Sequence, residues 1–198
     1  METNKPLEFG SVDSLCESLK LSGINFLNLN WGSNPGTKSV EDLFEEIKSG
    51  QCKLAHGESS QLRRFLSVSR VTVTYDGQTL VEIYREGKTE KHTRLLEMKC
   101  SVADRINLTR KSFLGDAIQV VRRKLGLILE GYRFVNCGWQ SEEKSSQYLS
   151  YPGLITVYNY SSFRLNISSS EFKKFYLATD GDEITYFSWL PDEVVEKL

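Results

Sequence analysis

A run of three basic residues near the middle of the chain is the feature most able to do chemistry. Arg122, Arg123 and Lys124 follow one another directly, and the apolar Val120 lies just before them. Guanidinium and ammonium groups bind phosphate and carboxylate oxygens, whereas divalent metal ions need anionic oxygen ligands. The run therefore predicts contact with a phosphorylated ligand or an acidic partner, and it disfavours metal-dependent chemistry.

The element that must position these side chains is a predicted helix. Apolar residues recur from Phe113 to Leu125 at the three- and four-residue spacing of one buried helix face. Gly126 suits a left-handed helix cap, and cations in the last turn suit the negative end of the helix dipole. These features by themselves are typical of many amphipathic helices.

Residues 111–127 also resemble the end of the Nudix box, whose pattern is G-x5-E-x7-R-E-U-x-E-E-x-G-U with U aliphatic. When the segment is aligned on Gly126, the aliphatic positions fall on Val121 and Leu127. Every position that carries chemistry differs. Arg105 stands at the opening glycine and Lys111 at the first glutamate of the pattern. Gln119 and Val120 stand at the arginine and the glutamate that follows it. Arg123 and Lys124 stand at the final two glutamates.

In the Nudix family those glutamates hold Mg²⁺ against the pyrophosphate of nucleoside diphosphates linked to a second group. The resemblance therefore implies a Nudix-like fold that has lost the reaction, with no catalytic residue, metal or cofactor. It implies a non-catalytic pseudo-enzyme that binds a protein partner or a phosphorylated ligand. The alternative is a Nudix-type nucleotide pyrophosphohydrolase whose metal ligands are displaced to Glu97, Asp104 and Asp116.

The residues around the helix predict a sheet. Two alternating runs, Arg70–Tyr75 and Gln78–Tyr84, lie on either side of Asp76-Gly77, which is a strong hairpin signal. Further strands are expected at Thr89–Met98 and, after the helix, at Tyr132–Cys137. This order of strands, loop, helix and strand is similar to that around a Nudix box. We therefore expect an α+β fold with a mixed Nudix-like β-sheet flanked by helices.

The first sixty residues predict an N-terminal αβα elaboration. Helices are expected at Ser11–Lys20 and from Ser39 to Gly50, and a strand is expected between them at Ile24–Asn30. Residues 51–66 lack a clear hydrophobic period, so we expect them to be less regular.

The segment Trp31–Ser39 lies before the second helix, as a phosphate-binding loop does. A P-loop has glycine directly before its lysine, because that glycine lets the backbone wrap closely around the β-phosphate. Here Thr37 precedes Lys38, and Gly36 lies one place early. A polar turn followed by a helix cap explains the segment, so nucleotide cradling is not expected here.

Charge is unevenly distributed, although the net charge is only −1. Residues 83–125 hold eleven Lys and Arg against five Asp and Glu, and residues 166–198 hold seven acids against three lysines. One interpretation is a basic face that binds a phosphate, a nucleotide or an acidic partner. The other, which we favour, is a solvated surface neutralised by the acidic tail. Neither gives a strong nucleic-acid signal.

Aromatic residues crowd the C-terminal third, and Trp139 lies just before it. Phe172–Thr179 and Ile184–Trp189 predict a hairpin, with a short acidic helix following at Pro191–Leu198. Sheet packing explains most of the aromatics, and the alternative is a stacking platform or partner anchor with Tyr151 at the rim of a pocket. The candidate ligand-binding residues are therefore Arg105, Lys111, Arg122, Arg123, Lys124, Trp139 and Tyr151.

Length and composition bound the class of protein. With 198 residues, of which 39% are hydrophobic, the chain can bury one core plus a small appendage, and we expect an extension at 1–60 packed on a main domain at 61–198. No apolar run approaches the roughly eighteen residues of a membrane span, and the N-terminus lacks a signal or transit pattern. The four cysteines form no C-x-x-C motif, which predicts reduced thiols in a cytoplasmic protein, with the nucleus as the other compartment.

Overall fold

The computed structural model describes residues 5–57, 60–87, 102–106, 112–129, 134–144, 150–181 and 183–197. In this part of the chain, four helices and eight strands follow one another from the N-terminus. The helices are α1 (Val12–Leu21), α2 (Val40–Lys48), α3 (Phe113–Leu125) and α4 (Asp192–Val195). The strands are β1 (Cys52–His56), β2 (Leu62–Tyr75), β3 (Gln78–Gly87), β4 (Val102–Ile106), β5 (Phe134–Lys144), β6 (Ile155–Asn166), β7 (Phe175–Asp180) and β8 (Glu183–Pro191).

The strands pair into one sheet. Among the described residues they hydrogen-bond in the order β5-β6-β2-β3-β8-β7, and β1 and β4 also pair with β2. The β1–β2, β2–β3, β3–β8 and β7–β8 pairs are antiparallel. The expected α+β chain, with a mixed sheet flanked by helices, is confirmed. No helix within the described ranges is long and apolar enough to cross a bilayer.

The chain divides into two units, each with its own apolar core. Unit 1 comprises Met1–Val68, Arg105–Lys111 and Gln140–Tyr160. Unit 2 comprises Ser69–Asp104, Ser112–Trp139 and Ser161–Leu198. Strands β2, β4, β5 and β6 contribute residues to both units. The division at residue 60 that the sequence suggests stays a prediction.

In unit 1, helix α2 contacts both α1 and β1. Each of the two helices begins at a serine whose hydroxyl accepts a hydrogen bond from a backbone N–H in the first turn. Such caps satisfy donors that the helix itself cannot, which explains why both helices begin where the sequence predicts. The buried apolar side chains of this unit are Leu15, Leu19, Ile24, Trp31, Val40, Leu43, Cys52, Leu54, Leu62, Leu66, Tyr151 and Leu154.

In unit 2, helix α3 packs against β7, and β7 pairs with β8. The β2–β3 turn has φ of +46° at Asp76 and +72° at Gly77, a left-handed pair that Asp and Gly tolerate better than other residues. This confirms the hairpin expected at these residues. The buried side chains are Val71, Val73, Leu80, Ala117, Val120, Val121, Leu125, Leu127, Leu129, Phe163, Leu165, Ile167, Tyr176, Ala178 and Phe187.

The strand predicted at Ile24–Asn30 is wrong, because the segment forms consecutive turns. The N–H of Leu29 donates to the Asn25 carbonyl at 3.1 Å, and the Asn25 side chain accepts from the N–H of Asn28 at 3.2 Å. Asparagine offers such local hydrogen bonds in place of a strand ladder. The alternation also fails in space, since Leu27 is 70% exposed. The predicted αβα order is therefore αα in the described structure.

Three other predictions concern residues 51–66, the C-terminal hairpin with its helix, and the strand at Thr89–Met98. Within the range 51–66, which was expected to be less regular, β1 and the start of β2 pair as antiparallel strands, from Cys52 opposite Leu66 to His56 opposite Leu62. The C-terminal hairpin is confirmed as β7 and β8, and the helix after it is the single turn α4. The strand predicted at Thr89–Met98 lies outside the described residues.

Candidate functional site

The structure divides the predicted site residues between the two units. Arg105 and Tyr151 belong to unit 1. The helix residues Arg122, Arg123 and Lys124 belong to unit 2, together with Trp139. Lys111 lies outside the described residues. The candidates therefore form two groups, each of which has its own chemistry.

Helix α3 positions the basic group of unit 2. Its first turn is capped by Ser112, whose hydroxyl accepts from the N–H of Gly115 at 3.1 Å. Its end is set by Gly126, which has φ of +66° and donates its N–H to the Arg122 carbonyl at 2.9 Å. Glycine adopts this left-handed conformation without steric cost, so the helix ends where the sequence predicts.

The residues at the Nudix metal positions of α3 do not fit a magnesium ion. Val120 is 4% exposed and packs in the apolar core of unit 2, so this position faces the interior. Arg122 and Arg123 are exposed and Lys124 is partly buried. Cationic and aliphatic side chains supply none of the oxygen ligands that Mg²⁺ requires. The last turn of α3 offers guanidinium donors instead.

The displaced carboxylates proposed for a hydrolase are described only in part. Asp116 is buried in the first turn of α3. Glu97 and the side chain of Asp104 lie outside the described structure. Within the described ranges, no three His, Cys, Asp or Glu side chains come close enough together to hold a metal ion.

Trp139 forms an exposed aromatic pair with Phe113 at the start of α3. The ring centroids are 4.3 Å apart and the planes meet at 89°, an edge-to-face geometry. Trp139 is 52% exposed, and Phe113 and the neighbouring Leu114 are also exposed. An exposed tryptophan held by a second ring is the kind of side chain that anchors protein partners.

The group in unit 1 surrounds Glu46, on the inner face of α2. Its carboxylate accepts from Lys38 Nζ at 2.7 Å and from Arg105 Nη1 at 3.2 Å, both at Oε1, while Arg64 Nη2 donates to Oε2. The Arg64 guanidinium lies 4.7 Å from the centre of the Tyr151 ring. We call Lys38, Glu46, Arg64, Arg105 and Tyr151 the Glu46 cluster.

Local structure explains how five separate segments meet at this carboxylate. Glu46 lies one helical turn after the buried Leu43, so it shares the buried face of α2. Arg64 lies opposite Leu54 in the β1–β2 hairpin, on the face of β2 that buries Leu62 and Leu66. The backbone N–H of Lys38 donates to the Ser150 carbonyl at 2.8 Å, and this hydrogen bond holds the backbone from which the Lys38 side chain extends.

Opposite charges decide the protonation of the buried pair. Burial alone would raise the pKa of Glu46, but the charge of Arg64 and the hydrogen bonds from Lys38 and Arg64 outweigh it and lower the pKa. Burial alone would lower the pKa of Arg64, and the neighbouring Glu46 carboxylate reverses that effect and raises it. Both groups are therefore charged at neutral pH.

Two other neighbours of Arg64, Cys52 and Tyr151, are buried and neutral. Burial raises the pKa of the Cys52 thiol to about 11, against the opposing effect of Arg64, so this cysteine is protonated at neutral pH. Burial likewise raises the pKa of the Tyr151 hydroxyl. Trp31 packs edge-on against Tyr151 at 5.1 Å and donates its Nε1–H to the Pro152 carbonyl at 2.9 Å, which holds the turn that carries Tyr151.

Sequence reasoning selected Arg105 and Tyr151 as ligand-binding residues, a role that stays a prediction, and it did not select Lys38, Glu46 or Arg64. A signal for two of the three was present. Glu46 falls on the apolar stripe of its helix, and Arg64 falls on the apolar side of an alternating strand. An acid and a base at buried positions are expected to pair, because an unpaired charge in a core is costly.

Comparisons with known proteins leave the family open. No protein-family model matches the sequence, and no curated protein matches it. Among solved structures, one described as the crystal structure of ADP compounds hydrolase, a Nudix enzyme, is similar over 74% of this chain and 71% of that chain. The sequences are 11% identical and the TM-score is 0.34. This is a weak Nudix-like resemblance, and at these values it carries no argument about function.

Proposed function

We propose that this chain is a non-catalytic, Nudix-like binding module for a phosphorylated ligand or a protein partner. One observation carries the proposal. Val120, which stands where the Nudix pattern has a metal-binding glutamate, is packed in the apolar core of unit 2. A carboxylate there would be buried among aliphatic side chains, where its charged form is strongly disfavoured. The position is therefore unsuited to binding a metal ion.

The exposed chemistry of α3 supports binding. Arg122 and Arg123 present guanidinium groups at the surface of its last turn. A guanidinium matches two oxygens of a phosphate at once, which favours a phosphorylated ligand. At the other end of the helix, Phe113 and Trp139 offer apolar surface of the kind used to anchor a protein partner.

A pyrophosphohydrolase assay tests the non-catalytic part of the proposal. The purified chain would be incubated with nucleoside diphosphates linked to a second group, in Mg²⁺ and separately in Mn²⁺. We expect no turnover above the enzyme-free control. Metal-dependent turnover at roughly 1–1,000 per second, the ordinary range of enzymes, would overturn the proposal and favour the displaced-ligand hydrolase.

A binding titration tests the role of the α3 cations. Calorimetric titration with inorganic pyrophosphate would compare the wild type with Arg122→Glu and with the matched control Lys174→Glu, an exposed lysine of the same unit. We expect at least about tenfold weaker binding for Arg122→Glu, because a charge-assisted hydrogen bond contributes about 1.5–3 kcal/mol. Equal binding by the two variants would contradict a role for this turn.

A further inference from the structure

Strand β7 lies at one edge of the sheet and has an exposed apolar face. Among the residues that the structure describes, it ends the strand order and pairs with β8 alone. Tyr176 and Ala178 lie in the core of unit 2, where helix α3 packs against the strand. On the opposite face, Phe175 is 61% exposed and Leu177 is 51% exposed. An edge strand with exposed apolar side chains is a template to which another strand can add.

Hydrogen bonds within unit 2 already fix the chain where β7 begins. The Tyr176 hydroxyl donates to the Glu171 carbonyl at 2.7 Å and accepts from the N–H of Lys173 at 3.3 Å. Trp189 donates its Nε1–H to the Lys173 carbonyl at 2.7 Å. A strand that adds to β7 therefore meets a backbone whose conformation is set beforehand, which lowers the entropy cost of association.

The chain just before β7 is basic. Lys173 and Lys174 are both exposed, and the nearby Glu171 accepts from the Ser168 hydroxyl at 2.9 Å. The Lys173 ammonium lies 5.8 Å from the centre of the Tyr176 ring, a contact that leaves its positive charge in place. The two lysines and the one glutamate give this end of the strand a net charge of +1.

The turn at the other end of β7 is acidic. In the sequence, residues 180–183 include three acids and no base. Glu183 pairs with Arg85 at 2.9 Å, and Arg85 also pairs with Glu82 at 2.8 Å, so these three side chains together keep a net charge of −1. The two ends of β7 therefore differ in the sign of their charge.

An antiparallel copy of β7 matches both ends at once. In a two-fold symmetric pair, residue i of one copy lies opposite residue j of the other, and j lies opposite i. A register that centres the pair on Leu177 sets Lys174 opposite Asp180, twice. The same register sets Phe175 opposite Thr179. Opposite charges that face each other across two strands stabilise the pair, and an unrelated strand has this match only if its charges follow the same order.

We propose that β7 is an interaction surface to which a second copy of this chain adds its own β7, antiparallel and centred on Leu177. The pairing joins two sheets edge to edge and brings the exposed apolar side chains of both copies together. It uses the face of β7 opposite to the one on which α3 packs. The proposal goes beyond the binding function of α3, and neither depends on the other.

Sedimentation velocity of the purified chain, from micromolar to millimolar concentration, tests the association. We expect a dimer whose fraction rises with concentration. Leu177→Lys sets two cations opposite each other at the centre of the pair and should raise the dimer dissociation constant at least about tenfold. The matched control is Ile83→Lys, at an exposed apolar position of β3, which should stay within about twofold of the wild type.

A wild type that stays monomeric at every concentration would overturn self-pairing and leave the edge to a strand of another protein. A dimer that Leu177→Lys does not weaken more than Ile83→Lys forms through another surface, and this result would also overturn the proposal.

Disulfide cross-linking tests the register. In a Cys137→Ser background, which removes an exposed native thiol, mild oxidation should join two copies of Leu177→Cys. Residues directly opposite have Cα atoms about 4.5–5.5 Å apart, within the reach of a disulfide. The matched control is Thr179→Cys, whose two copies would lie about 13 Å apart in this register and should not cross-link. Equal cross-linking of the two variants, or none of Leu177→Cys, would contradict the proposed pairing.

Discussion

Replacing Glu46 by glutamine tests the energetics of the buried pair in unit 1. The substitution keeps the size of the side chain and leaves the guanidinium of Arg64, 2% exposed, without its counter-charge. Breaking a buried pair by removing one partner costs about 3–5 kcal/mol, whereas an exposed pair contributes about 0–1 kcal/mol. Lys38 and Arg105 can turn toward solvent, so their losses are small. We therefore expect the free energy of unfolding to fall by about 3 kcal/mol, at the lower end of the buried range.

Urea denaturation followed by circular dichroism measures this change, and thermal denaturation should show a fall of about 6–12 °C for a chain of this size. The matched control is Glu45→Gln, at the exposed neighbouring position, for which a change within about 0.5 kcal/mol is expected. The double variant Glu46→Leu with Arg64→Met removes both charges and should recover most of the loss. If Glu46→Gln is no worse than Glu45→Gln, the buried pair does not stabilise the unit as argued.

Further predictions concern pH, the α3 core and the thiols. The folded chain lowers the pKa of Glu46, so this carboxylate stabilises the fold fully above its ordinary pKa of 4.5. The stabilisation is lost as the pH falls through the lowered folded value. Acid titration of Glu46→Gln should therefore lack this pH-dependent contribution. Val120→Glu should lower the free energy of unfolding by about 3 kcal/mol or more, because it places a carboxylate in the core. Gln119→Glu, at the exposed neighbouring position, should lower it by about 0.5 kcal/mol at most. Equal free energies of unfolding in urea for the two variants would show that Val120 is not packed as described. In thiol labelling at pH 8, the exposed Cys137 should react rapidly in the folded protein. The buried Cys52, whose pKa is raised to about 11, should react only after unfolding. Rapid labelling of Cys52 in the folded protein would refute its burial.

The elements with strong local signals were predictable from the sequence. Helix α3 has an apolar stripe and the αL residue Gly126, and the β2–β3 turn has Asp76 and Gly77 at positions of positive φ. Each signal acts within a few residues, so neighbouring sequence is enough to determine the outcome. The segment Ile24–Asn30 shows the limit of such patterns. Its apolar residues and asparagines suggest a strand, but in the folded chain Asn25 forms local turn hydrogen bonds instead.

The candidate site was predictable only in part, for a different reason. Arg105 was selected from its place in the α3 alignment and Tyr151 as the rim of an aromatic pocket, yet in unit 1 Arg105 contacts Glu46 and Tyr151 lies beside Arg64. That meeting joins residues from helix α2, strands β2 and β4 and two loops, and no local pattern specifies which of them come together. The sequence does place Glu46 on the apolar face of a helix and Arg64 on the apolar face of a strand. These two positions predict an ion pair, but they do not predict which other residues contact it.

The proposed non-catalytic function depends most on α3 being unable to hold a divalent ion. Adding Mn²⁺ to isotope-labelled protein measures this directly, because a bound paramagnetic ion broadens nearby amide signals. We expect no saturable broadening at the amides of residues 116–124, since that stretch combines a core valine with exposed cations. Broadening there that saturates at one equivalent of Mn²⁺ would show a metal site on α3 and contradict the proposed function.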